Sequence, residues 1–482
     1  SQLFELPGGP IAFAIGGEYR TETASSTWDP ISKGDRTFLN AIADFTPPKL
    51  TVKEAYGEIR FPLLKDLPFA KELSVEVAGR VSKYNNSVGT VYAYNIQGNY
   101  APVSDIRFRA AYATSVRAPT QSDLFSPQSE NFAFLSDPCD AANIGTNPQF
   151  AVNCAAAGVP TTSNAAVVAA CAGSSFPAVL GGPWSNCLAR TSSTGFVSGG
   201  NPTLTQERGK SLTLGVLFEP KFAPGFSFTV DYYNITVKNL ISALGAQQIV
   251  NLCYSSLNGI NNGYCSTVSR DPSTGLFVEP AVISGGINFA QQKTRGVDFD
   301  LAYKHTFDNG HKLSIRGIAT YTLTLNNFTD PLNPTLPNRQ RSELGDPVIA
   351  ANLDVKYDFG AWDVSYSARY IGKQTIGAWE AQHSYTALCT TATVASGKCT
   401  GTAGQLGINL PDNLDQFPQV YYPAVVYHDI RVGVDVNSKF SFYGGVDNAL
   451  DKKPPLGLLG TAGGDPFDSF GRFFYFGVEA KF

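Results

Sequence analysis

The C-terminal stretch reads Arg472-Phe473-Phe474-Tyr475-Phe476-Gly477-Val478-Glu479-Ala480-Lys481-Phe482. Alternate positions hold Phe474, Phe476, Val478, Ala480 and Phe482, and the positions between them hold Tyr475, Gly477, Glu479 and Lys481. Because successive side chains of a strand point to opposite faces, the stretch predicts a strand with one apolar and one more polar face. Only the first two residues, Arg472 and Phe473, depart from this alternation.

The same alternation recurs upstream. Apolar side chains occupy alternate positions in further segments, for example Ile106/Phe108/Ala110/Tyr112, Leu212/Leu214/Val216/Phe218, Phe226/Phe228/Val230/Tyr232, Val297/Phe299/Leu301/Tyr303, Trp362/Val364/Tyr366 and Ile430/Val432/Val434/Val436. A soluble sandwich has the same period as a membrane barrel, so alternation alone leaves both open. If the strands cross a membrane, we expect the apolar positions to face lipid, among them Phe108, Leu214, Phe228, Phe299, Val364 and Val478.

The lengths of the connections decide between these two classes. Short connections are predicted at 64–70, 101–105, 220–225, 307–310, 358–361 and 436–439, and they alternate with long ones at 21–49, 119–207, 240–284, 327–346, 377–421 and 448–468. The segment 84–88 is a short member of the long set. Outer-membrane barrels combine short periplasmic turns with long extracellular loops, whereas a sandwich has no reason to sort loops by side.

Fourteen strands are predicted by this pattern. They begin near residues 11, 53, 72, 88, 105, 209, 225, 284, 312, 347, 362, 425, 439 and 472. An even number of strands places both ends of the chain on one side, which we expect to be the periplasmic side. The predicted fold is an all-β, transmembrane antiparallel β-barrel.

Composition agrees with this class and excludes others. Only 16% of the 482 residues are charged, compared with roughly 25% in soluble domains. Mean hydropathy is −0.08, and the sequence has no apolar run of about 20 residues, as a membrane helix requires. With 36 Lys+Arg and 40 Asp+Glu, the net charge is −4. This balance gives no indication of nucleic-acid binding, which needs a basic surface.

The eight cysteines fall into sequential pairs within the long connections: Cys139 with Cys154, Cys171 with Cys187, Cys253 with Cys265, and Cys389 with Cys399. Disulfides persist in oxidising compartments, so four extracellular disulfides are predicted. A metal site is the alternative. However, there is no CxxC motif, and the four histidines are dispersed. We therefore expect neither a metal site nor a cofactor.

Sequence signals for an enzyme are weak. His428 stands beside Asp429, and many serines are available to a nucleophile–base pair. A polar group at the barrel rim or in the lumen is the interpretation we favour. The segment 460–464 (GTAGG) lacks the Lys-Ser/Thr that a phosphate-binding loop needs. The pairs Gly16-Gly17 and Gly444-Gly445 are interpreted as strand curvature. No enzymatic activity is predicted.

Six segments resemble the barrel of TonB-dependent outer-membrane receptors. They are Ser115-Val116-Arg117-Ala118-Pro119, Gly200-Asn201-Pro202-Thr203-Leu204 followed by Glu207, Asp231-Tyr232-Tyr233, Thr294-Arg295-Gly296-Val297-Asp298, Asn448-Ala449-Leu450-Asp451-Lys452-Lys453-Pro454-Pro455, and Gly471-Arg472-Phe473-Phe474 leading to the terminal Phe482. Each segment alone is too short to identify the family, but six segments in this order are specific to it. Ala449 and Leu450 stand where the family has Leu and Phe.

The resemblance implies a barrel of twenty-two strands with an N-terminal plug and a TonB-contacting box. This sequence contains neither, so residues 1–482 are interpreted as the C-terminal portion of the barrel of a longer protein. The implied function is active, TonB-energised uptake of a scarce small-molecule nutrient that binds to extracellular loops. The implied location is the outer membrane of a Gram-negative bacterium, with TonB and outer-membrane lipid as partners. A passive porin is the alternative function.

The ligand is predicted from the aromatic residues of the long connections. Few Lys or Arg residues lie near them, whereas anionic iron chelates usually require positive charge. Sugars bind to aromatic faces combined with polar groups. We therefore expect a neutral organic ligand, such as an oligosaccharide, in preference to a siderophore. The predicted contacts are Trp379, Glu380 and Gln382, where an aromatic residue and a carboxylate lie side by side, and Trp184. The alternative is that these aromatics only pack the loops.

Overall fold

The computed structural model describes residues 2–34, 36, 41–331, 334–376, 421–455 and 466–481. Its main element is an antiparallel sheet in which each strand pairs with the strands before and after it. The sheet strands are β1 (Gln2–Leu6), β2 (Gly9–Glu22), β3 (Leu50–Leu67), β4 (Ala70–Tyr84), β5 (Thr90–Val103), β6 (Ile106–Arg117), β9 (Glu207–Phe218), β10 (Phe226–Ala243), β12 (Phe277–Thr306), β13 (Lys312–Phe328), β15 (Ile349–Phe359), β16 (Trp362–Ile371), β19 (Val425–Asp435), β20 (Phe440–Asp447) and β21 (Phe473–Ala480).

The remaining elements lie in the long connections. They are α1 (Pro30–Lys33), α2 (Gln121–Phe125), β7 (Ser129–Ala133), α3 (Pro148–Ala156), α4 (Ala165–Ala170), α5 (Cys187–Thr191), β8 (Thr194–Gly199), α6 (Ala246–Tyr254), β11 (Val268–Arg270), β14 (Asn338–Arg339), β17 (Gln374–Thr375) and β18 (Tyr421–Tyr422). A 3-10 turn covers Cys265–Thr267. Within the described residues, no helix has the length and apolar content to cross a membrane.

All fourteen predicted strands are present, and the predicted meander is confirmed. The structure adds a fifteenth strand, β1, which joins β2 through the two residues Pro7 and Gly8. The expected even count was therefore wrong, and the start of β1 lies at the opposite end of the sheet from the end of β21. In the described residues β1 pairs only with β2 and β21 only with β20, so the sheet is open between them.

Strand register confirms that one face is apolar. Phe108 lies opposite Val216, Val216 opposite Val230, and Val230 opposite Phe299. Directly opposed residues share a face, so this row continues across the strands on one side. Phe108, Leu214 and Val478 expose 44%, 45% and 57% of their surface, so they do not lie in a soluble core. Such a face is suited to hydrocarbon rather than to water.

The opposite face carries charges and, in the described strands, four cross-strand pairs in which a tyrosine ring covers the opposing glycine. Directly opposed partners are Tyr56 with Gly16, Tyr233 with Gly296, Tyr443 with Gly477, and Tyr475 with Gly445. A Cβ atom at any of these glycines would overlap the tyrosine ring. Gly16 and Gly445 therefore make room for an aromatic ring on the next strand, which is a more specific role than the predicted strand curvature.

Candidate functional site

The largest buried core of the described chain lies in the long connections, outside the sheet. It is formed by the connections 118–206 and 244–276, together with the first half of β12, and we call this unit the loop domain. The strand β12, which has 30 residues, belongs to both the loop domain and the sheet. Residues Ile283–Gly285 pair with β8 in the loop domain, and residues 291–306 pair with β13 in the sheet.

Three predicted disulfides hold the loop domain together. The Cα atoms are 5.6 Å apart in Cys139–Cys154, 5.8 Å in Cys171–Cys187 and 4.7 Å in Cys253–Cys265. Each closes a loop of 12 to 16 residues, for which the entropy model gives about 3 kcal/mol. Cys389 and Cys399 lie outside the described residues, so their pairing stays a prediction.

An ion pair lies at the centre of this core. The guanidinium of Arg270 donates to both carboxylate oxygens of Asp137, at 2.7 and 2.8 Å, and its Nε donates to the Tyr254 hydroxyl at 2.6 Å. The same guanidinium lies 4.2 Å from the ring centroid of Phe277 and 5.9 Å from that of Trp184. Burial by itself would lower the pKa of Arg270, but attraction to Asp137 outweighs it and raises the pKa.

A second buried carboxylate supports the first. Asp140 is bound by the guanidinium of Arg190, with Nε at 3.0 Å, and it also accepts the backbone N–H of Asn186 at 2.9 Å. Burial alone would raise the pKa of Asp140, yet these donors and the N–H of Ala142 lower it below 3.8. The loop domain is therefore a rigid unit with a charged interior, and not a set of separate loops.

The predicted contact Trp184 belongs to this interior. Its side chain is 2% exposed, and its Nε1 donates to the carbonyl of Thr274 at 2.8 Å. In this position Trp184 presents no face to a ligand, so the arrangement corresponds to the alternative in which the loop aromatics pack the loops. Trp379, Glu380 and Gln382 lie outside the described residues. Their role as ligand contacts therefore stays a prediction.

Two of the sequence motifs meet at the base of the loop domain. Arg117, from the first motif, donates to both oxygens of Glu207, from the second, at 2.6 and 2.5 Å. Glu207 also accepts the backbone N–H of Ile241 at 2.9 Å, which joins β6, β9 and β10 where the long connections begin. Asn201 bonds to the carbonyl of Gly286 at 3.0 Å. These motif residues fix the loop domain onto the sheet.

A cavity of about 590 Å³ opens on the polar face near the connection between β20 and β21. Its lining includes the carboxylates of Asp354, Asp429, Asp447 and Asp468, one cation, Arg369, and the aromatic residues Tyr427, Phe470 and Phe473. Sequence reasoning missed this cavity because its residues come from five strands and one connection. In the sequence, these residues were marked only by the alternation that places polar side chains on one face of each strand.

The Asn448 motif shapes one wall of this cavity. Asn448 is 1% exposed and donates to Asp468 at 3.0 Å and to the carbonyl of Lys452 at 2.9 Å. Its own N–H donates to Asp429 at 2.7 Å. The motif thereby holds two of the cavity carboxylates in place.

His428, the neighbour of Asp429 in the sequence, does not form a nucleophile–base pair with it. The Nδ1 atom of His428 lies 2.8 Å from the Tyr366 hydroxyl, and the two residues share a hydrogen bond. As neighbours in β19, His428 and Asp429 point to opposite faces of the sheet.

Comparison with known proteins places this geometry in a family. The family model described as TonB dependent receptor-like, beta-barrel matches residues 1–449. No curated protein matches the sequence significantly.

Three solved structures share the fold. The siderophore receptor PirA from Acinetobacter baumannii is 14% identical, with a TM-score of 0.53, and the match covers 99% of this chain and 53% of that one. A ferric enterobactin receptor, PfeA, from Pseudomonas aeruginosa is 14% identical (TM-score 0.54; 98% and 51% covered). The iron transporter FrpB from Neisseria meningitidis is 12% identical (TM-score 0.50; 98% and 52% covered).

This chain thus spans about half the length of these solved relatives. The antiparallel meander, the sorted loop lengths and the family match agree with one another. The chain belongs to the TonB dependent receptor-like β-barrel family.

Proposed function

We propose that this chain is the barrel portion of an outer-membrane receptor that imports a scarce nutrient with energy supplied through TonB. The family match over residues 1–449 is the observation that carries the proposal. The names of the solved relatives, a siderophore receptor, a ferric enterobactin receptor and an iron transporter, support an uptake role. The Gram-negative outer membrane is the location that such a barrel requires.

The long loops and the polar face are the proposed ligand-binding surfaces. The loop domain is preorganised by three disulfides and two ion pairs, so little conformational entropy is lost when a ligand binds to it. The cavity beside Asp468 lies on the polar face, which is the lumenal face in a closed barrel. A ligand that passes from the loops toward the lumen meets this cavity.

The proposed ligand is a neutral organic molecule, for which an oligosaccharide is the leading class. Among the described residues, the cavity places four carboxylates and three aromatic rings around one arginine. An anionic chelate would be repelled by these carboxylates, whereas hydroxyl groups donate hydrogen bonds to them and sugar rings pack on aromatic faces. A ferric siderophore is the second candidate, because one of the solved structures is named as a siderophore receptor and another as a ferric enterobactin receptor.

An uptake experiment tests the proposal. The intact protein is expressed in a Gram-negative host without competing receptors, and accumulation of labelled neutral oligosaccharides and ferric siderophores is measured with TonB present and with TonB deleted. We expect accumulation of a neutral ligand only when TonB is present. Equal accumulation without TonB would favour the passive porin, and accumulation of ferric siderophores alone would reject the neutral ligand.

The proposed contact Trp379 is tested in the same assay. Replacement of Trp379 by alanine removes an aromatic face, and we expect weaker binding and slower uptake of the transported ligand. Trp28→Ala is the matched control, because Trp28 lies in another long connection and is 44% exposed. Unchanged affinity in Trp379→Ala for every transported ligand would remove this residue from the site.

A further inference from the structure

A second cavity, of about 430 Å³, lies inside the loop domain. It is separate from the cavity beside Asp468, with which it shares no lining residue. Its apolar lining comes from Leu244 and Ile249, from Ile283 and Ile287 of β12, and from Tyr264. This volume falls within the range of small-molecule pockets, about 300–1,000 Å³.

The lining carries no charge, since no described residue that lines the cavity is acidic or basic. Three of its polar side chains are engaged within the protein. Asn201 donates to the carbonyl of Gly286 at 3.0 Å, Ser284 to that of Leu244 at 2.7 Å, and Thr267 to that of Tyr264 at 2.7 Å. A ligand therefore meets apolar surface, and a charged group placed here would lose its hydration without compensation.

The cavity is held open by covalent structure. The Cys253–Cys265 disulfide joins α6, which carries Ile249, to the residue next to Tyr264, so two walls are fixed relative to each other. The third wall belongs to β12, whose residue Gly285 pairs with Gly199 of β8. A preformed apolar cavity binds a ligand without the loss of conformational entropy that would be needed to order its walls.

We propose that this cavity binds the apolar or aromatic portion of a neutral small molecule. The site is a loop-domain subsite, and its identification with the transported nutrient rests on the proposed uptake function. The absence of charge from its lining selects against anions, which distinguishes it from a site for anionic iron chelates. Ile283, which is 42% exposed, lies at the accessible side of the cavity.

Binding of two probes of similar size and different charge tests the proposal. The intact protein is reconstituted in lipid nanodiscs, and equilibrium dialysis measures 4-iodophenol, neutral at pH 7, and 4-iodobenzoate, anionic at pH 7. Binding to empty nanodiscs is subtracted. We expect iodophenol to bind at least about tenfold more tightly than iodobenzoate, because the cavity cannot compensate a buried carboxylate. Iodine anomalous scattering from soaked crystals should place the probe beside Ile283.

Matched substitutions assign the binding to the cavity. Ile283→Trp fills the accessible side and should weaken iodophenol binding by about tenfold or more. Leu188→Trp is the control, because Leu188 lies in the same loop domain, is 43% exposed and does not line the cavity. Non-reducing peptide mapping of the disulfides verifies that each variant is folded. If Ile283→Trp fails this check, Gly263→Leu replaces it, since no atom lies within 4 Å of a Cβ at Gly263.

Equal binding of the two probes would overturn the proposal, as would unchanged iodophenol binding in the cavity-filling variant or an equal loss in Leu188→Trp. The probe assay needs no TonB, so it is independent of the uptake assay. Probe binding without TonB-dependent uptake would reject the proposed function alone. TonB-dependent uptake without probe binding would reject this subsite alone.

Discussion

Arg270 and Asp137 lie 133 residues apart in the sequence, yet their side chains form a bidentate ion pair in which Nη2 of Arg270 is 2.7 Å from Oδ1 of Asp137. Both side chains are buried, with exposures of 8% and 1%. The pair joins the connection between β6 and β9 to the connection between β10 and β12. It therefore unites two loops that are separate in the sequence into one loop domain.

Replacement of Arg270 by glutamine should destabilise the loop domain by about 3–5 kcal/mol, because the charge of Asp137 then stays buried without a partner. Hydrogen exchange of residues 137–206 and 244–290 measures the loss. Arg316→Gln is the control, because Arg316 is 66% exposed and lies 3.3 Å from Asp300, so we expect less than about 1 kcal/mol. Equal protection of the loop domain in wild type and Arg270→Gln would show that the pair does not organise it.

Gly215 separates the members of another ion pair. Nε of Arg109 lies 2.8 Å from Oδ1 of Asp231, and the two residues come from the strands on either side of Gly215. A Cβ at Gly215 would overlap Asp231 and approach Nε of Arg109. Gly215→Ala should therefore cost about 1–3 kcal/mol.

Urea unfolding in lipid vesicles checks this cost. The matched control is Gly79→Ala in β4, where a Cβ would have no atom within 4 Å. We expect the control to lie within about 0.5 kcal/mol of wild type. Similar values for the two variants would mean that Gly215 makes no special room for the ion pair.

Val230 and Thr229 are neighbours in β10 that face opposite sides of the sheet. If Val230 faces lipid near the bilayer midplane, Val230→Arg should cost about 2–4 kcal/mol. Thr229→Arg places the same charge on the polar face and should cost clearly less. Refolding equilibria in lipid vesicles give both values, and an equal cost would contradict the assignment of the two faces.

The loop domain should weaken in acid through Asp140. Because folding lowers the pKa of this carboxyl below 3.8, its ionised form stabilises the fold at all pH values above 3.8. That stabilisation is lost as the pH falls below 3.8 through the folded-state pKa. Protease resistance of the loop domain, followed from pH 7 into strong acid at about pH 2 in wild type and Asp140→Asn, measures it. The protease resistance of the two proteins should differ above about pH 5 and converge in strong acid. A difference that stays constant with pH would show that Asp140 is not the group responsible for the acid sensitivity.

The strands were predictable because each contains its own signal. Phe228 and Val230 stand two residues apart within one segment, and pleating alone places them on one face. The exception, β1, has five residues and a two-residue turn, too little for alternation to be recognised. The three disulfides of the described residues were also predictable, since the two cysteines of each lie in the same connection.

The loop interior was not predictable, because its contacts join distant segments. Nothing near Trp184 indicates that Thr274 will accept its N–H, and nothing near Arg270 identifies Asp137 as its partner. An aromatic residue in a long loop has the same sequence signature whether it packs or binds a ligand. The cavity beside Asp468 was missed for the same reason, since the distance between Asp354 and Asp468 depends on the whole sheet.

The four tyrosine–glycine pairs on the polar face have a consequence for how the barrel assembles. Many of these strands alternate in the same way. If one strand shifted by two residues against its neighbour, every side chain would stay on its face, so contact with the membrane would not disfavour the shift. Such a slip would set Tyr56 against Ala14 or Glu18 in place of Gly16, and Tyr233 against Thr294 or Asp298 in place of Gly296. The ring would then collide with a side chain. We therefore expect each pair to favour the observed alignment of its two strands over an alignment shifted by two residues.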